Sequence, residues 1–232
     1  MIRKKIVIVT IRRWNIINAN KFKKIFNKKY DVIIITKKEE LCIENLKKFL
    51  PDYIFFPHWQ WIIPSDIYEN FECIAFHITD LPYGRGGSPL QNLIINKVYN
   101  TKISAFKVEK GIDTGKIYIK ENFYIGLGSA QEIFQRFSEI VFFKMIPYIL
   151  EKNPVPYEQE GEVVTFKRRT PEESNITSSN IVNLDDIYDF IRMLDAEGYP
   201  KAFLKINNLK ISFSEVHKKY NKLIGRFEII NE

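Results

Sequence analysis

A histidine and an aspartate lie in two loops that each follow an apolar segment of the chain. His77 comes directly after the apolar run 73–76 and opens a loop rich in Gly, Pro and Arg, beyond which residues 89–96 predict a helix. Asp113 follows the apolar segment 103–108 in a Lys-Gly-Ile-Asp-Thr-Gly turn. A neutral imidazole can take a proton from an attacking nucleophile, and a neighbouring carboxylate can orient the ring. The two loops therefore predict a general-base pair.

The elements that must hold this pair alternate between apolar strands and helices. Residues 5–10 and 31–36 are continuous apolar runs, which are typical of strands buried on both faces of a parallel sheet. Shorter strands are predicted at 53–56 and 73–76. Strands that alternate with helices through short loops predict an α/β fold, a Rossmann-like and mostly parallel sheet flanked by helices.

The second half of the chain predicts a long helix and then a change of architecture. An apolar stripe indicates a helix over 129–150, and the Asn-Pro-Val-Pro stretch at 153–156 marks a boundary. Beyond it, turn residues separate three short strands at 202–206, 211–216 and 226–230. We therefore expect a catalytic domain over 1–152, a linker over 153–174 and a small β-rich C-terminal domain over 175–232.

The composition limits the class of protein. At 232 residues, with 45% hydrophobic and 14% aromatic residues, the chain can bury a core. The net charge of +7 suggests an anionic partner, although lysines on solvated faces explain it equally well. No uncharged stretch approaches the ~20 residues of a membrane helix, and Cys42 and Cys73 show no metal or redox spacing. These features predict a cytoplasmic protein with no membrane partner and no metal site.

The motifs around the two loops resemble a known family. The pattern His…Leu-Pro…Arg-Gly…Pro over 77–89, with Asp-x-Gly at 113–115, is similar to the 10-formyltetrahydrofolate-dependent formyltransferases. The resemblance extends over about 6–150, with a weaker similarity to about residue 203. It implies that a formyl group passes from the folate directly to an amine. In this family the histidine accepts the amine's proton and the aspartate orients the histidine.

One position departs from the family pattern. The family usually has Asn two residues before the histidine, where its amide donates to the formyl oxygen, and this chain has Ala75. Loss of an oxyanion donor costs ~100- to 1000-fold in rate. Gln91 is the first candidate to replace the missing donor. Thr79, Asn92 and the backbone N–H groups of 84–87 are alternatives.

The resemblance also implies a binding pocket for the pterin ring of folate. Apolar and aromatic side chains are expected to form its two walls, although the tryptophans are also candidates for the core. The predicted cofactor-binding residues are Trp59, Trp61, Ile62 and Ile63 on one side and Val108, Gly111 and Ile112 on the other.

Basic and small residues near the sheet edge are candidates for binding the acceptor. Arg12 and Arg13 follow the first strand, where they would clamp a diphosphate or line a solvated loop. Arg85 would bind phosphate or hold its own loop. Thr79 and Gly86 complete the predicted substrate-binding set.

The acceptor is predicted from the length of the tail and from its resemblance to a subfamily. A tail of about 65 residues is small for the larger C-terminal barrel of methionyl-tRNA enzymes. The segments 166–174 and 188–203 resemble enzymes that formylate nucleotide-linked 4-amino sugars, and the loop 78–91 resembles nucleotide-amino-sugar N-formyltransferases of the pseudaminic-acid pathway type. The predicted partners are a UDP-, dTDP- or CMP-linked amino sugar and folate, for a bacterial surface glycan such as the O-antigen of lipopolysaccharide. Nucleic acid is not expected as a partner, and a homodimer is possible. Formyl transfer to another amine, on tRNA or a peptide, and a non-catalytic folate or nucleotide-sugar binding protein remain the alternatives.

Overall fold

The computed structural model describes residues 3–231, which divide into two compact units. The first unit comprises residues 3–85, Lys102–Phe123 and Gln135–Val164, and the second comprises Gly86–Thr101, Tyr124–Phe134 and residues 165–231. The strands are β1 (Lys4–Thr10), β2 (Tyr30–Ile35), β3 (Tyr53–His58), β4 (Cys73–His77), β5 (Tyr83–Gly86), β6 (Asn100–Lys107), β7 (Ile117–Tyr124), β8 (Val164–Phe166), β9 (Ala202–Ile206), β10 (Leu209–Lys219) and β11 (Lys222–Asn231). The helices are α1 (Arg13–Phe26), α2 (Ile43–Phe49), α3 (Ser65–Tyr68), α4 (Pro89–Ile95), α5 (Ala130–Ile140), α6 (Ile146–Lys152) and α7 (Leu184–Arg192).

The first unit is built on a six-stranded sheet in the order β2-β1-β3-β4-β6-β7. β1 pairs in parallel with β2 and β3, and β3 pairs in parallel with β4. β6 then runs antiparallel to β4. This mixed sheet, mostly parallel and flanked by helices, confirms the predicted α/β fold class.

The sequence of β1 explains its central place in the sheet. Its residues Ile6, Val7, Ile8 and Val9 are at most 1% exposed, because strands and helices cover both faces. A polar residue on either face would need a hydrogen-bond partner there, which the continuous apolar run avoids. Because β1, β3 and β4 are parallel, the loops that follow them begin at the same edge of the sheet, the edge formed by the carboxyl ends of these strands.

The predicted single helix over 129–150 is interrupted in the structure. One π-helical turn, Val141–Met145, separates α5 from α6. Pro147 lies at the start of α6, and it lacks the N–H that a continuous α-helix would require while its ring clashes with the carbonyl four residues earlier. A wider turn before the proline accommodates the ring.

The second unit contains the predicted hairpin as part of a three-stranded antiparallel sheet in the order β11-β10-β9. Its α7 begins after Asn183, whose side chain accepts hydrogen bonds from the main-chain N–H groups of Asp185 and Asp186. At the other end of α7, Arg192 is almost fully buried and donates to the Asp189 carboxylate at 2.7 Å. This small unit therefore depends on a buried ion pair as well as on its apolar core.

The two units differ from the predicted division of the chain at residues 152 and 174. α4 belongs to the second unit, where Lys97, just beyond the helix, forms ion pairs at 2.9 Å with both Asp186 and Asp189 of α7. Such long-range ion pairs leave no trace in local composition, and the division into a catalytic domain, a linker and a C-terminal domain stays a prediction. Over residues 3–231, no helix combines the length and apolar character needed to cross a membrane.

Candidate active site

β4 delivers His77 to the site, and the following loop fixes its ring. The Nε2 atom of His77 lies 2.8 Å from the carbonyl oxygen of Gly84. A carbonyl only accepts, so Nε2 must carry the hydrogen and donate it. The other ring nitrogen, Nδ1, then carries the lone pair in the neutral form, and this nitrogen is the one available to act as a base.

Asp113 faces this second ring nitrogen. Its Oδ2 atom lies 3.7 Å from Nδ1 of His77, and the two side chains are 18% and 11% exposed respectively. The distance exceeds that of a hydrogen bond, and neither the unprotonated Nδ1 nor the carboxylate has a hydrogen to donate. A proton taken up on Nδ1 would carry its positive charge directly beside the carboxylate. The arrangement can therefore act as a general base whose charged form is stabilised by a nearby anion.

The loop between β6 and β7 needs a special backbone to place this carboxylate. Asp113 itself has a φ of +54°, in the left-handed region that Asp tolerates better than most residues. Two residues later, a Cβ atom on Gly115 would lie 1.8 Å from the carbonyl oxygen of Lys107. Only glycine fits this close approach, so the Asp-x-Gly pattern has a steric reason as well as a chemical one.

A charged anchor fixes the start of the loop after His77. The Nζ atom of Lys120 lies 2.6 Å from Oδ1 of Asp80, and the Nζ of Lys102 lies 2.9 Å from Oδ2. Partial burial alone would raise the pKa of Asp80, but the hydrogen bonds from the two lysines lower it overall. Asp80 therefore stays ionised and holds the loop to β6 and β7.

Thr79 is placed differently from the prediction. It is fully buried, and its hydroxyl donates to the carbonyl of Gly84 at 3.4 Å. A buried hydroxyl in this position does not reach a substrate, so the predicted substrate-binding role needs correction. Its contact instead helps to hold the carbonyl that orients His77.

Gln91 also turns away from the predicted role. It is 3% exposed, and its Nε2 atom donates to the main-chain carbonyl of Met193 at 3.0 Å within the second unit. Gly86, in the same unit, has a φ of +99°, and a Cβ atom there would lie 2.4 Å from the carbonyl of Phe166. Both residues have packing reasons for their identity, and no contact supports Gln91 as the replacement for the missing donor at Ala75.

The predicted folate-binding residues meet on one apolar cluster of the first unit. Trp59 and Ile63 from the loop after β3, and Val108 from the end of β6, pack against the same buried core, which also contacts Ala75. The sequence predicted Trp59 and Val108 on opposite walls of a pocket. In the structure both side chains pack against the same buried cluster. Trp59 contacts the core, and its buried indole N–H has no acceptor among residues 3–231. Its part in folate binding stays a prediction.

The outer members of these walls are open to solvent. Ile62 is 90% exposed and Ile112 is 68% exposed. The rings of Trp61 and Trp59 contact each other edge to face, with centroids 4.7 Å apart. Gly111 has a φ of +111° at the top of the Asp113 loop. The role of these positions in folate binding stays a prediction.

The two arginines after β1 are in different environments. Arg13 is the exposed first residue of α1, whereas Arg12 is half-buried with a φ of +71°. Burial and the neighbouring Arg12 guanidinium lower the pKa of His58 to about 4. His58 is therefore held neutral near pH 7 and is not poised to exchange protons with a substrate. Arg13 offers an exposed guanidinium at this edge.

Arg85 bonds within its own unit. Its Nε and Nη2 atoms donate to the Oε1 atom of Gln159 at 3.1 and 2.7 Å. Of the two roles left open for Arg85, this contact favours holding the loop. Gln159 has no motif around it in the sequence, and sequence reasoning missed it. Over residues 3–231, no group of three His, Cys, Asp or Glu side chains has the geometry to hold a metal ion.

Comparisons with known proteins identify the family to which the chain belongs. A family model described as methionyl-tRNA formyltransferase, C-terminal domain, matches residues 171–230. The methionyl-tRNA formyltransferase of Campylobacter jejuni (strain 81-176) is 28% identical over 174 residues, which cover 75% of this chain and 55% of that relative. The chain therefore spans about half the length of the curated relatives that it matches first.

Two solved structures share the fold of this chain, one at high and one at low sequence identity. A structure described as methionyl-tRNA formyltransferase from Clostridium thermocellum is 53% identical, with a TM-score of 0.95, and the match covers 99% of this chain and 100% of that one. HypX from Aquifex aeolicus in complex with tetrahydrofolic acid matches with a TM-score of 0.72 over 94% of this chain and 39% of that one. At 14% identity, the second likeness shows the fold alone.

These findings overturn the predicted acceptor. The assignment to nucleotide-amino-sugar enzymes is wrong, because the full-length match at 53% identity and the family model are both described as methionyl-tRNA formyltransferase. The argument from tail length failed because that C-terminal-domain model fits within the short tail, over residues 171–230. By its full-length similarity at 53% identity, the chain belongs to the formyltransferase family that includes the methionyl-tRNA formyltransferases.

Proposed function

We propose that this protein transfers the formyl group of 10-formyltetrahydrofolate to the amino group of methionyl-tRNA. The observation that carries the proposal is the 53% identity, over the full length of both chains, to a structure described as methionyl-tRNA formyltransferase. The facing His77 and Asp113 side chains supply the acid–base chemistry that such a transfer needs.

The reaction exchanges one bond for another. The amine nitrogen attacks the formyl carbon, a C–N bond forms, and the bond between that carbon and N10 of the folate breaks. The amine loses one proton and N10 gains one, so a single base that later acts as an acid is sufficient. In this proposal Nδ1 of His77 takes the proton from the attacking amine and returns it to N10, while Nε2 stays bonded to Gly84.

Asp113 acts in this scheme through electrostatics. It neither attacks the formyl carbon nor forms a covalent intermediate. Its carboxylate stabilises the imidazolium during the interval in which His77 holds the proton. With 18% of its side chain exposed, Asp113 is screened less than a surface carboxylate would be.

The folate is proposed to lie against the cluster that carries Trp59, Ile63 and Val108. A pterin ring is flat, with polar atoms at its edge, so it suits apolar walls that also offer an N–H group. The buried indole N–H of Trp59, which lacks an acceptor among residues 3–231, fits such a ligand. The folate supplies the activated one-carbon group, and this chain supplies its orientation and the proton transfers.

The acceptor is proposed to be a tRNA because of the relatives and is supported by the charge of the chain. The net charge is +7, and the turn of the β10–β11 hairpin carries the exposed lysines Lys218, Lys219 and Lys222. One of them, Lys218, is already paired with Asp185. Phosphate contacts of this kind release counterions and make binding strongly dependent on salt.

The test is formyl transfer with labelled folate. The protein is incubated with methionyl-tRNA and with 10-formyltetrahydrofolate carrying a ¹³C formyl group. The methionine released by mild base is then analysed by mass spectrometry for one added formyl group. Uncharged tRNA and free methionine serve as controls, together with His77→Asn. We expect formylation of methionyl-tRNA only, a loss of at least 100-fold in His77→Asn, and a steep decline in affinity between low and moderate salt.

Two outcomes would contradict parts of this proposal. If the protein formylates a small amine as fast as methionyl-tRNA, the acceptor assignment fails while the chemistry stands. Equal rates for His77→Asn and the wild type would remove the histidine from the mechanism.

A second candidate function rests on Ala75. The small side chain at this position brings no donor to the formyl oxygen, and the site would then bind folate without transferring its formyl group. The same assay separates the two functions. Tetrahydrofolate binding in calorimetry without formylation of methionyl-tRNA or of any small amine supplied would favour the binding protein.

A further inference from the structure

We propose that Gln159 is a positioning residue that sets the separation between His77 and Asp113. The inference rests on the proposed function for its kinetic consequence, but its structural part is independent of the acceptor. It concerns a residue outside both motifs, in the segment between α6 and β8.

This segment is anchored beside β7. The main-chain N–H and carbonyl of Tyr157 exchange hydrogen bonds of 3.0 and 2.7 Å with those of Ile117. Two residues further along, Gln159 lies within the same first unit. Because the bridge to β7 holds its backbone, Gln159 has a fixed base from which to hold the neighbouring loops.

The amide of Gln159 uses its complete hydrogen-bonding capacity. Its Nε2 atom donates to the carbonyl of Asp113 at 2.8 Å and to that of Gly115 at 2.7 Å. Its Oε1 atom accepts from Nε and Nη2 of Arg85. A primary amide has two N–H donors and two acceptor lone pairs, and all four are used. Neither a glutamate, which lacks the donors, nor a methionine, which lacks all four groups, can replace it.

The two ends of this link lead directly to the catalytic pair. On one side, Arg85 is the neighbour of Gly84, whose carbonyl accepts the Nε2–H of His77. On the other, the carbonyl bound by Gln159 belongs to Asp113 itself. Gln159 therefore connects the loop that orients the imidazole with the loop that carries the carboxylate.

The Asp113 loop needs such support. A non-glycine residue at a φ of +54° costs free energy and persists only where surrounding contacts hold it. The hydrogen bonds from Gln159 to Asp113 and Gly115 lie on both sides of Thr114 and restrain this part of the loop. Without them, the 3.7 Å separation between Oδ2 and Nδ1 is no longer fixed, and a displacement of about 1 Å can cost on the order of 100-fold in rate.

The first experiment does not require an acceptor. Hydrogen–deuterium exchange is measured for the backbone of residues 109–116 in the wild type, in Gln159→Met and in Gln135→Met, a control at an exposed glutamine of α5. We expect exchange in this loop to become at least tenfold faster in Gln159→Met and to stay unchanged in the control. Unchanged exchange in Gln159→Met overturns the proposal, whatever the enzyme's substrate.

The second experiment separates positioning from general stability. With 10-formyltetrahydrofolate and methionyl-tRNA, Gln159→Met should lower kcat by about 10- to 100-fold and leave KM for both substrates within about threefold. In an Asp113→Asn background the same substitution should change kcat by less than about threefold, because the carboxylate it positions is already gone. Penalties that multiply in the double variant would show that Gln159 acts independently of Asp113 and would refute the proposal.

A second variant keeps the proposal testable if Gln159→Met does not fold. Gln159→Glu keeps an acceptor for Arg85 and removes only the two donors to the loop, so it should speed exchange over 109–116 to a similar extent. Exchange as slow as in the wild type in Gln159→Glu would count against the proposal. If no amine is formylated at all, the proposed function fails while the exchange measurements still decide the role of Gln159.

Discussion

Replacement of Asp113 by Asn is the sharpest test of the catalytic pair. The substitution keeps the size of the side chain and removes its charge. In the wild type, Oδ2 lies 3.7 Å from Nδ1 of His77, and neither side chain is more than 18% exposed. The effect on rate should therefore come from the lost attraction between carboxylate and imidazolium rather than from a change in packing.

The size of the effect follows from the distance. Two unit charges 3.7 Å apart attract by about 4.5 kcal/mol at an effective dielectric constant of about 20. If the proton is about half transferred in the transition state, about 2 kcal/mol of this attraction is lost. At 1.36 kcal/mol for each factor of ten, these limits correspond to a decrease in rate of roughly 30- to 2000-fold.

The assay should measure the chemical step. Single-turnover formylation at saturating 10-formyltetrahydrofolate and methionyl-tRNA isolates that step from product release. Glu151→Gln is the matched control, because it removes a carboxylate from the exposed ion pair with Lys29. We expect Asp113→Asn within the stated range and the control at the wild-type rate. A rate for Asp113→Asn within threefold of the wild type would refute the electrostatic role of Asp113.

Three further predictions follow from local geometry. Gly115→Ala should lower formyl transfer by at least 100-fold, measured at saturating substrates, because the new Cβ would lie 1.8 Å from the carbonyl of Lys107 and displace the loop. The pKa of His58 is about 4 in the fold, below its unfolded value, so acidification from pH 6.5 to 4 should lower the free energy of unfolding by an extra ~2 to 3 kcal/mol through this residue. Urea titrations of His58→Gln should therefore show a shallower pH dependence than those of the wild type. Asp189→Asn should destabilise the second unit by about 3 to 5 kcal/mol in urea denaturation, because it leaves a buried arginine without its anion, whereas Lys29→Ala on the surface should leave the midpoint unchanged.

Much of the first unit was predictable because burial leaves a pattern in the sequence. β1 is a continuous apolar run, and a strand covered on both faces requires that pattern. The same reasoning placed β4 and the loop after it, and therefore His77, at a sheet edge. The partner loop carries an Asp-x-Gly pattern whose glycine has a steric reason visible only in three dimensions.

The polar contacts were not predictable, because a side chain's type does not reveal its partner. Thr79 and Gln91 have hydroxyl and amide groups suited to a substrate, yet both donate to main-chain carbonyls of the protein. Gln159 has the same amide as Gln91 and lies in an unremarkable segment, but it contacts both loops of the site. Only the tertiary structure distinguishes an amide that faces a ligand from one that holds a loop.

The acceptor presented a different difficulty, which lies in the chemistry itself. Every enzyme that transfers a formyl group from folate to an amine must hold the same cosubstrate and move the same proton. A pair such as His77 and Asp113 therefore recurs whatever the amine is, and it carries no information about the acceptor.

Evidence on the acceptor must come from parts of the chain that do not handle the formyl group. In this protein the match over residues 171–230 supports the proposed tRNA acceptor, whereas the length of the tail had argued for a sugar acceptor. Length is a weak guide because a family can keep the recognisable core of a domain while its overall size changes. Substitutions that change the acceptor without changing the rate of formyl transfer should therefore lie within residues 171–230, away from His77 and Asp113 in sequence.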